Sequence, residues 1–143
     1  MDESSFYNTY KNNTNFLFLS LNLQSIHAKF TEFHEFITNM SVHNCAPDII
    51  LLQELWQIHD ISSLSINDYF PLEYKTRSNG VQGGGAGIYF KKKLRFSILH
   101  KKSLFIDRII ETIFAEVQTS NNKKNYCSIC IPSQCQPPHP NIS

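Results

Sequence analysis

The spacing of apolar residues predicts a strand, a helix and a second strand in the first part of the chain. Residues 16–21 and 48–53 are apolar runs with the length of buried strands. Between them, residues 25–40 carry apolar side chains at helical spacing, namely Ile26, Phe30, Phe33, Ile37 and Met40. A strand–helix–strand connection of this length forms a right-handed crossover, which leaves the two strands parallel.

A polar residue follows each of these two strands. Asn22 comes directly after the first strand and Glu54 directly after the second. Because parallel strands share one carboxyl edge, we expect Asn22 and Glu54 to emerge side by side where open sheets place their chemistry. An amide and a carboxylate at this edge predict half of a site for Mg²⁺ and phosphate. The alternative is that each residue only caps a strand or turn.

The second half of the chain predicts four more strands, at residues 86–91, 94–99, 109–117 and 124–131. Short turns separate most of them, so we expect an antiparallel meander. Residues 69–77 are predicted as a strand interrupted by Pro71, and residues 78–85 as a Gly-rich turn. The predicted fold class is α+β: a mixed sheet with an N-terminal β-α-β unit, followed by the meander.

Composition and charge limit the class of protein. The chain has 143 residues with 41% hydrophobic side chains, which indicates one folded domain and excludes a wholly disordered chain. Residues 1–74 carry two basic and nine acidic side chains, whereas residues 75–143 carry eleven basic and three acidic ones. This asymmetry suits a polyanion-binding face next to a cation-binding pocket, and two solvated faces of opposite sign explain it as well.

Basic residues in the second half are candidates for contacts with a nucleic-acid backbone. A predicted hairpin carries Lys91, Lys92, Lys93 and Arg95. Lys75 and Arg77 are expected to join the same basic patch. The alternative is a solvated sheet edge whose charges discourage strand pairing.

The start of the chain, residues 1–10, is acidic and polar, unlike a secretory signal. No apolar run approaches the roughly 20 residues that a membrane-spanning helix needs. We therefore expect an intracellular protein, nuclear or cytoplasmic, without a membrane partner.

Four segments together resemble a known family. LSLNLQSIHAKFTEF, PDIILLQELW, GGGAGIYFKKKLRF and ETIFAEV occur in this order and are similar to the endonuclease/exonuclease/phosphatase (DNase I-like) superfamily, most of all to the endonuclease of non-LTR (LINE-type) retrotransposons. The resemblance covers residues 15–133, between a disordered lead-in at 1–14 and an irregular tail at 134–143. It implies half of a four-layer α/β/β/α sandwich, with Asn22 contacting the scissile phosphate and metal-bound groups and Glu54 ligating Mg²⁺.

The chain also departs from the family pattern. Cys130 and Ile131 stand where the family has the Tyr and Arg of a Tyr-Arg-Pro-like signature, and the later Gly-Asp-Phe-Asn and Asp-His segments have no counterpart. The resemblance therefore implies an N-terminal fragment of a Mg²⁺-dependent DNA endonuclease, truncated, with an incomplete metal site and catalytically incomplete alone. An exposed sheet face is expected to cause self-association.

Two other functions remain open at this point. One is a non-catalytic fold remnant that binds nucleic acid or a partner chain. The other is a fragment of a superfamily RNA deadenylase or of a phosphoinositide or sphingolipid phosphodiesterase.

Overall fold

A β-α-β unit opens the folded core. The structure, a computed structural model, describes residues 2–10, 16–101, 103–118 and 124–131. After a short helix α1 (Glu3–Tyr10), the chain forms β1 (Phe18–Asn22), α2 (Ile26–Val42) and β2 (Ile49–Gln53). Strands β1 and β2 are parallel, with Asn22 opposite Gln53. The predicted parallel pair is confirmed.

Helix α2 lies where the apolar spacing predicts it. It begins after Ser25, whose hydroxyl accepts a hydrogen bond from the backbone N–H of Ala28 at 3.3 Å, the usual role of an N-cap serine. The helix buries one face against the first sheet. That face carries Ile26, Phe33, Ile37 and Met40, which share a core with Ile50, Leu52 and Tyr89.

The first sheet has the strand order β1-β2-β4-β3, where β3 is Glu73–Lys75 and β4 is Ala86–Phe90. Strand β4 runs antiparallel to both of its neighbours. All five of its residues are buried. This two-sided burial arises because α2 covers one face of the sheet and the second sheet covers the other.

The second sheet is antiparallel and is centred on one long strand. It consists of β5 (Arg95–Ile98), β6 (Phe105–Ile106), β7 (Ile110–Gln118) and β8 (Lys124–Ile131), and β7 pairs with the other three. A second core between the sheets joins residues of β2 and β4 to residues of β5 and β7, including Ile49, Ile88, Phe90, Ile113, Ala115 and Val117. The described residues therefore form three layers: α2, the first sheet and the second sheet.

The predicted α+β class, with a β-α-β start and antiparallel strands after it, is confirmed. The prediction that the later strands form one continuous meander is wrong. Strand β4 belongs to the first sheet and β5 to the second, so residues 91–93 cross between layers instead of closing a hairpin. The aromatic rings explain the crossing: Phe90 and Phe96 stack between the sheets with their centroids 4.0 Å apart. Apolar burial between the layers thus replaces backbone pairing of β4 with β5.

The N-terminal part of the chain contains a short helix. Within the segment expected to be a disordered lead-in, residues 3–10 form α1, where Asp2 Oδ1 accepts the N–H of Ser5 at 2.7 Å. Residues 11–14 of the lead-in and the tail at 134–143 lie outside the described residues. Among the described residues, none of the helices has the length and apolar character needed to cross a membrane.

Candidate active site

Asn22 and Glu54 lie at the same edge of the first sheet, at the carboxyl ends of β1 and β2. The pairing of the strands continues past their ends: Leu23 N donates to Gln53 O at 3.0 Å, and Ser25 N donates to Glu54 O at 2.9 Å. The Asn22 side chain is exposed at the end of the edge strand. The two loops are thus tied together by backbone hydrogen bonds at the predicted edge.

The carboxylate of Glu54 is held from one side. Its Oε2 accepts hydrogen bonds from the backbone N–H of Gly84 at 3.0 Å and from Nε1 of Trp56 at 3.2 Å. Within the described ranges, Oε1 accepts no hydrogen bond, and the residue is half-buried. The protein therefore holds one oxygen of Glu54 in place, and no group among the described residues donates a hydrogen bond to the other.

The backbone that carries Glu54 is strained. Glu54 and Trp56 have φ angles of 56° and 61°, a conformation that costs a non-glycine residue of order 1–3 kcal/mol. Fully buried Leu55 lies between them, and two hydrogen bonds fix the loop: Leu55 N to Gly85 O at 3.3 Å and Trp56 N to Gly84 O at 2.8 Å. Strain of this kind persists only where the surroundings over-determine it, and it concentrates at functional sites.

The loop after Asn22 shows the same strain. Gln24 and Ser25 also have positive φ angles, of 50° and 92°. The loops that follow β1 and β2 thus contain four of the seven non-glycine residues with positive φ in the part of the chain that the structure describes. Backbone strain is thus concentrated at the edge of the sheet where Asn22 and Glu54 lie.

A buried ion pair lies behind the Gly-rich turn. Nε of Arg77 donates to Oε1 of Glu111, and Nη2 donates to Oε2 at 3.3 Å. Glu111 is fully buried at the start of β7, and the side chain of Arg77 is only 10% exposed. Hydrogen bonding to Glu111, together with the charges of Glu111, Glu54 and Asp107, raises the pKa of Arg77 and keeps it charged.

Sequence reasoning missed the role of Glu111. The expectation for Arg77 was an exposed phosphate contact, whereas its third nitrogen, Nη1, donates to the carbonyl of Gln82 at 2.7 Å. The signal in the sequence is an acidic residue between Ile110 and Thr112 in a strand that is rich in apolar residues. A partner 34 residues away cannot be inferred from that signal.

The basic residues do not form one patch. Lys75 lies opposite Ala86, at the Glu54 end of the sheet. Lys91 and Lys93 lie at the other end, where Lys93 Nζ is 2.8 Å from Asp48 Oδ1 and Lys91 Nζ donates to Ala46 O at 3.3 Å.

The length of β2 separates these two ends of the sheet, and five residues of strand span about 16 Å. Burial lowers the pKa of Lys91. Lys92 and Arg95 are exposed, and Arg95 begins a strand of the second sheet. The structure therefore places Lys75 and Arg77 near Glu54, and Lys91–Lys93 and Arg95 away from it.

The donors at the edge suit a hydrated hard cation. Mg²⁺ takes one or two carboxylates and fills its remaining positions with water and phosphate oxygens. Glu54 Oε1 and the exposed Asn22 amide oxygen are donors of this type. In the described residues there is no group of three or more His, Cys, Asp or Glu side chains that would enclose a metal ion. These two donors would leave most coordination positions of a bound ion to water and phosphate oxygens.

A family model matches nearly the whole chain. The family model described as the Endonuclease/Exonuclease/phosphatase family matches residues 8–142, a range that includes both strand ends and the buried ion pair. No curated protein matches the chain at a significant level.

Proposed function

Because the chain belongs to the endonuclease/exonuclease/phosphatase family, we propose that it carries the Glu54 side of a divalent-metal-dependent phosphodiesterase site that acts on DNA. The family supports phosphodiester hydrolysis as the reaction class. The observation that carries the proposal is the Glu54 carboxylate, held by Gly84 and Trp56 at the edge shared with Asn22. A LINE-type retrotransposon endonuclease is the proposed subgroup, on the four segments that resemble it.

In the proposed mechanism, Glu54 Oε1 would hold a divalent metal ion and the Asn22 amide would donate to a phosphate oxygen. A bound divalent ion would supply Lewis-acid polarisation of the phosphoryl group and stabilise the leaving oxygen. The Gly84 N–H and the Trp56 indole keep Oε2 fixed, so that the carboxylate does not rotate as substrate arrives. We assign no general base within the described residues, and we propose that this chain alone is catalytically incomplete.

The charge distribution supports DNA as the substrate. The second half of the chain is strongly basic, and Lys75 lies at the Glu54 end of the first sheet. Neutralising phosphates with lysine or arginine gives a salt-dependent affinity. In this proposal Lys75 contacts the backbone of the strand whose phosphate lies at Glu54.

A second candidate function is non-catalytic binding of nucleic acid. It is favoured by one observation: the basic turn Lys91–Lys93, with Arg95, lies at the end of the sheet away from Glu54. Binding there would be independent of the metal site. Small phosphate esters, such as inositol phosphates, are the third candidate class of ligand.

Metal binding is tested with the chain's single tryptophan. Trp56 donates a hydrogen bond to the carboxylate that is proposed to bind the metal. Titration with Mg²⁺ or Mn²⁺ should therefore produce a change in Trp56 fluorescence that saturates as the metal concentration rises. Glu54→Gln should weaken this binding by at least about tenfold, while the matched control Glu73→Gln, a carboxylate on β3, should titrate like the wild type. A Glu54→Gln protein with wild-type affinity would contradict the proposal.

Nucleic-acid binding is tested by salt dependence. Each phosphate contact contributes about 0.9 to the slope of log K against log salt for duplex DNA. If DNA binds at the site, Lys75→Glu should reduce the magnitude of this slope by about 0.9, the contribution of one phosphate contact. Lys92→Glu should leave the slope unchanged. The reverse result supports the non-catalytic candidate, and binding of inositol hexakisphosphate in preference to DNA supports the third.

A further inference from the structure

We infer that Arg77 and Glu111 are positioning residues for Glu54: together they form a clamp that ties the second sheet to the metal-binding edge of the first. This inference deepens the proposed function and rests on it. It concerns residues that do not touch the substrate and that sequence patterning did not connect.

The clamp acts on the Gly-rich turn. The guanidinium of Arg77 lies against Gly84, where an added Cβ would overlap Arg77 and come within 2.7 Å of Glu111 Oε1. Nη1 of Arg77 also donates a hydrogen bond to the carbonyl of Gln82, in the same turn. The same Gly84 donates its N–H to Glu54 Oε2. A movement of Arg77 therefore displaces the donor that orients the Glu54 carboxylate.

Glu111 fixes Arg77 from the other sheet. It is fully buried on β7, and both of its oxygens take guanidinium N–H groups. A bidentate pair has a defined geometry, which a lysine at position 77 would lose because an ammonium is a point charge. The packing of the two sheets thus determines where the Gly-rich turn lies.

Glu111 also balances charge beside the proposed metal site. Arg77 is close enough to Glu54 for the two charges to interact, and an unbalanced guanidinium there would oppose binding of a cation. Asp107 accepts the N–H of Ser78 at 3.1 Å, next to Arg77, and adds a further negative charge. Glu111 and Asp107 therefore offset the charge of Arg77 beside the Glu54 carboxylate.

The experiment compares Arg77→Lys and Glu111→Gln with Lys93→Met, which removes the ion pair with Asp48 at the far end of the same sheet. Two signals are recorded on folded protein, with thermal unfolding measured separately. The first is the emission and acrylamide quenching of Trp56 without metal. The second is the affinity for Mn²⁺ or Mg²⁺ from the same fluorescence.

The clamp predicts that Arg77→Lys and Glu111→Gln shift Trp56 emission and weaken metal binding by about tenfold or more, as the loss of groups that orient metal ligands does. Lys93→Met should change neither signal. If Glu111→Gln does not fold, Arg77→Lys alone tests the clamp, because it keeps the positive charge and loses only the bidentate geometry of the guanidinium.

Two results have different meanings. Variants with wild-type Trp56 emission and wild-type metal affinity, even with reduced thermal stability, would overturn the clamp and leave a purely structural ion pair. A wild-type protein that gives no Glu54-dependent metal signal would overturn the proposed function. In that case the emission of Trp56 without metal still shows whether the clamp positions the carboxylate network.

Discussion

At the scale of single residues, Gly84 has a conformation and a space that only glycine fits. Its φ is +64°, a left-handed conformation, and the guanidinium of Arg77 occupies the position of a Cβ. Its N–H donates a hydrogen bond to Glu54 Oε2, and its carbonyl accepts one from the N–H of Trp56, so both groups bind the strained loop. One residue thus connects the buried ion pair to the candidate ligand.

Gly84→Ala should therefore destabilise the protein more than a change in conformation alone explains. We expect a loss of about 2–4 kcal/mol in the free energy of unfolding, from left-handed strain plus overlap with Arg77. Gly80 is the matched control, with a φ of +83° and nothing within 4 Å of an added Cβ.

Gly80→Ala should cost only about 1 kcal/mol, since it introduces the strain without the overlap. Urea unfolding of both variants measures the difference. Equal losses for the two variants would show that the clamp does not pack tightly on the turn.

At the scale of elements, β1 is a strand with an exposed edge. It is an edge strand of the first sheet, and none of its residues belongs to the described core between the sheets. Phe16 and Phe18 are 36% and 50% exposed, with their rings 6.1 Å apart. An edge strand with exposed aromatic side chains is a site for association with another chain.

We expect the wild-type protein to self-associate through β1. Phe18→Lys should reduce the association constant, because a charge on an edge strand opposes pairing. Val42→Lys, at an apolar position of α2 that is 71% exposed, is the matched control and should associate like the wild type. Sedimentation velocity over a range of concentrations measures both, and a monomeric wild type at every concentration would refute the expectation.

At the scale of the whole molecule, two buried phenols join the loops to the core under α2. Tyr89 donates its hydroxyl to Leu64 O at 2.6 Å, and Tyr69 donates to Pro47 O. Their rings meet edge to face with centroids 6.3 Å apart. Burial raises the pKa of both phenols, and the charges of Asp48 and Asp68 add to the effect at Tyr69.

Alkaline pH should therefore unfold this protein cooperatively. A folded-state pKa above the unfolded value of 10.0 means that the folded protein retains protons that the unfolded chain loses. The stabilisation is fully present below pH 10.0 and is lost as the pH rises above it. Each phenol contributes a slope of up to about 1.4 kcal/mol per pH unit.

The measurement is the free energy of unfolding by urea above pH 10.5. There the opposite contribution of Lys91, whose pKa is lowered, decreases as the unfolded chain also loses that proton. Tyr89→Phe should reduce the slope against pH by the contribution of one phenol, up to about 1.4 kcal/mol per pH unit. A slope equal to that of the wild type would mean that Tyr89 ionises as easily in the folded state as in the unfolded one.

Local patterns predicted the elements, but not all of their partners. The β-α-β unit was predictable because its signals, the apolar runs and the helical spacing, are close in sequence. Strand β6, only two residues long, left no pattern. The placement of β4 and β5 in different sheets was not predictable, because apolar residues that face another sheet resemble those that pair within one.

The candidate site divides in the same way. The sequence by itself determined that Asn22 and Glu54 end two parallel strands, because strand direction follows from the length of the helical crossover between them. Only the tertiary structure decided that Glu54 is held by Gly84 and Trp56, and that Arg77 belongs to Glu111. The physical reason is that a buried charge is stable only with a partner, and the packing of the two sheets determines which partner is near.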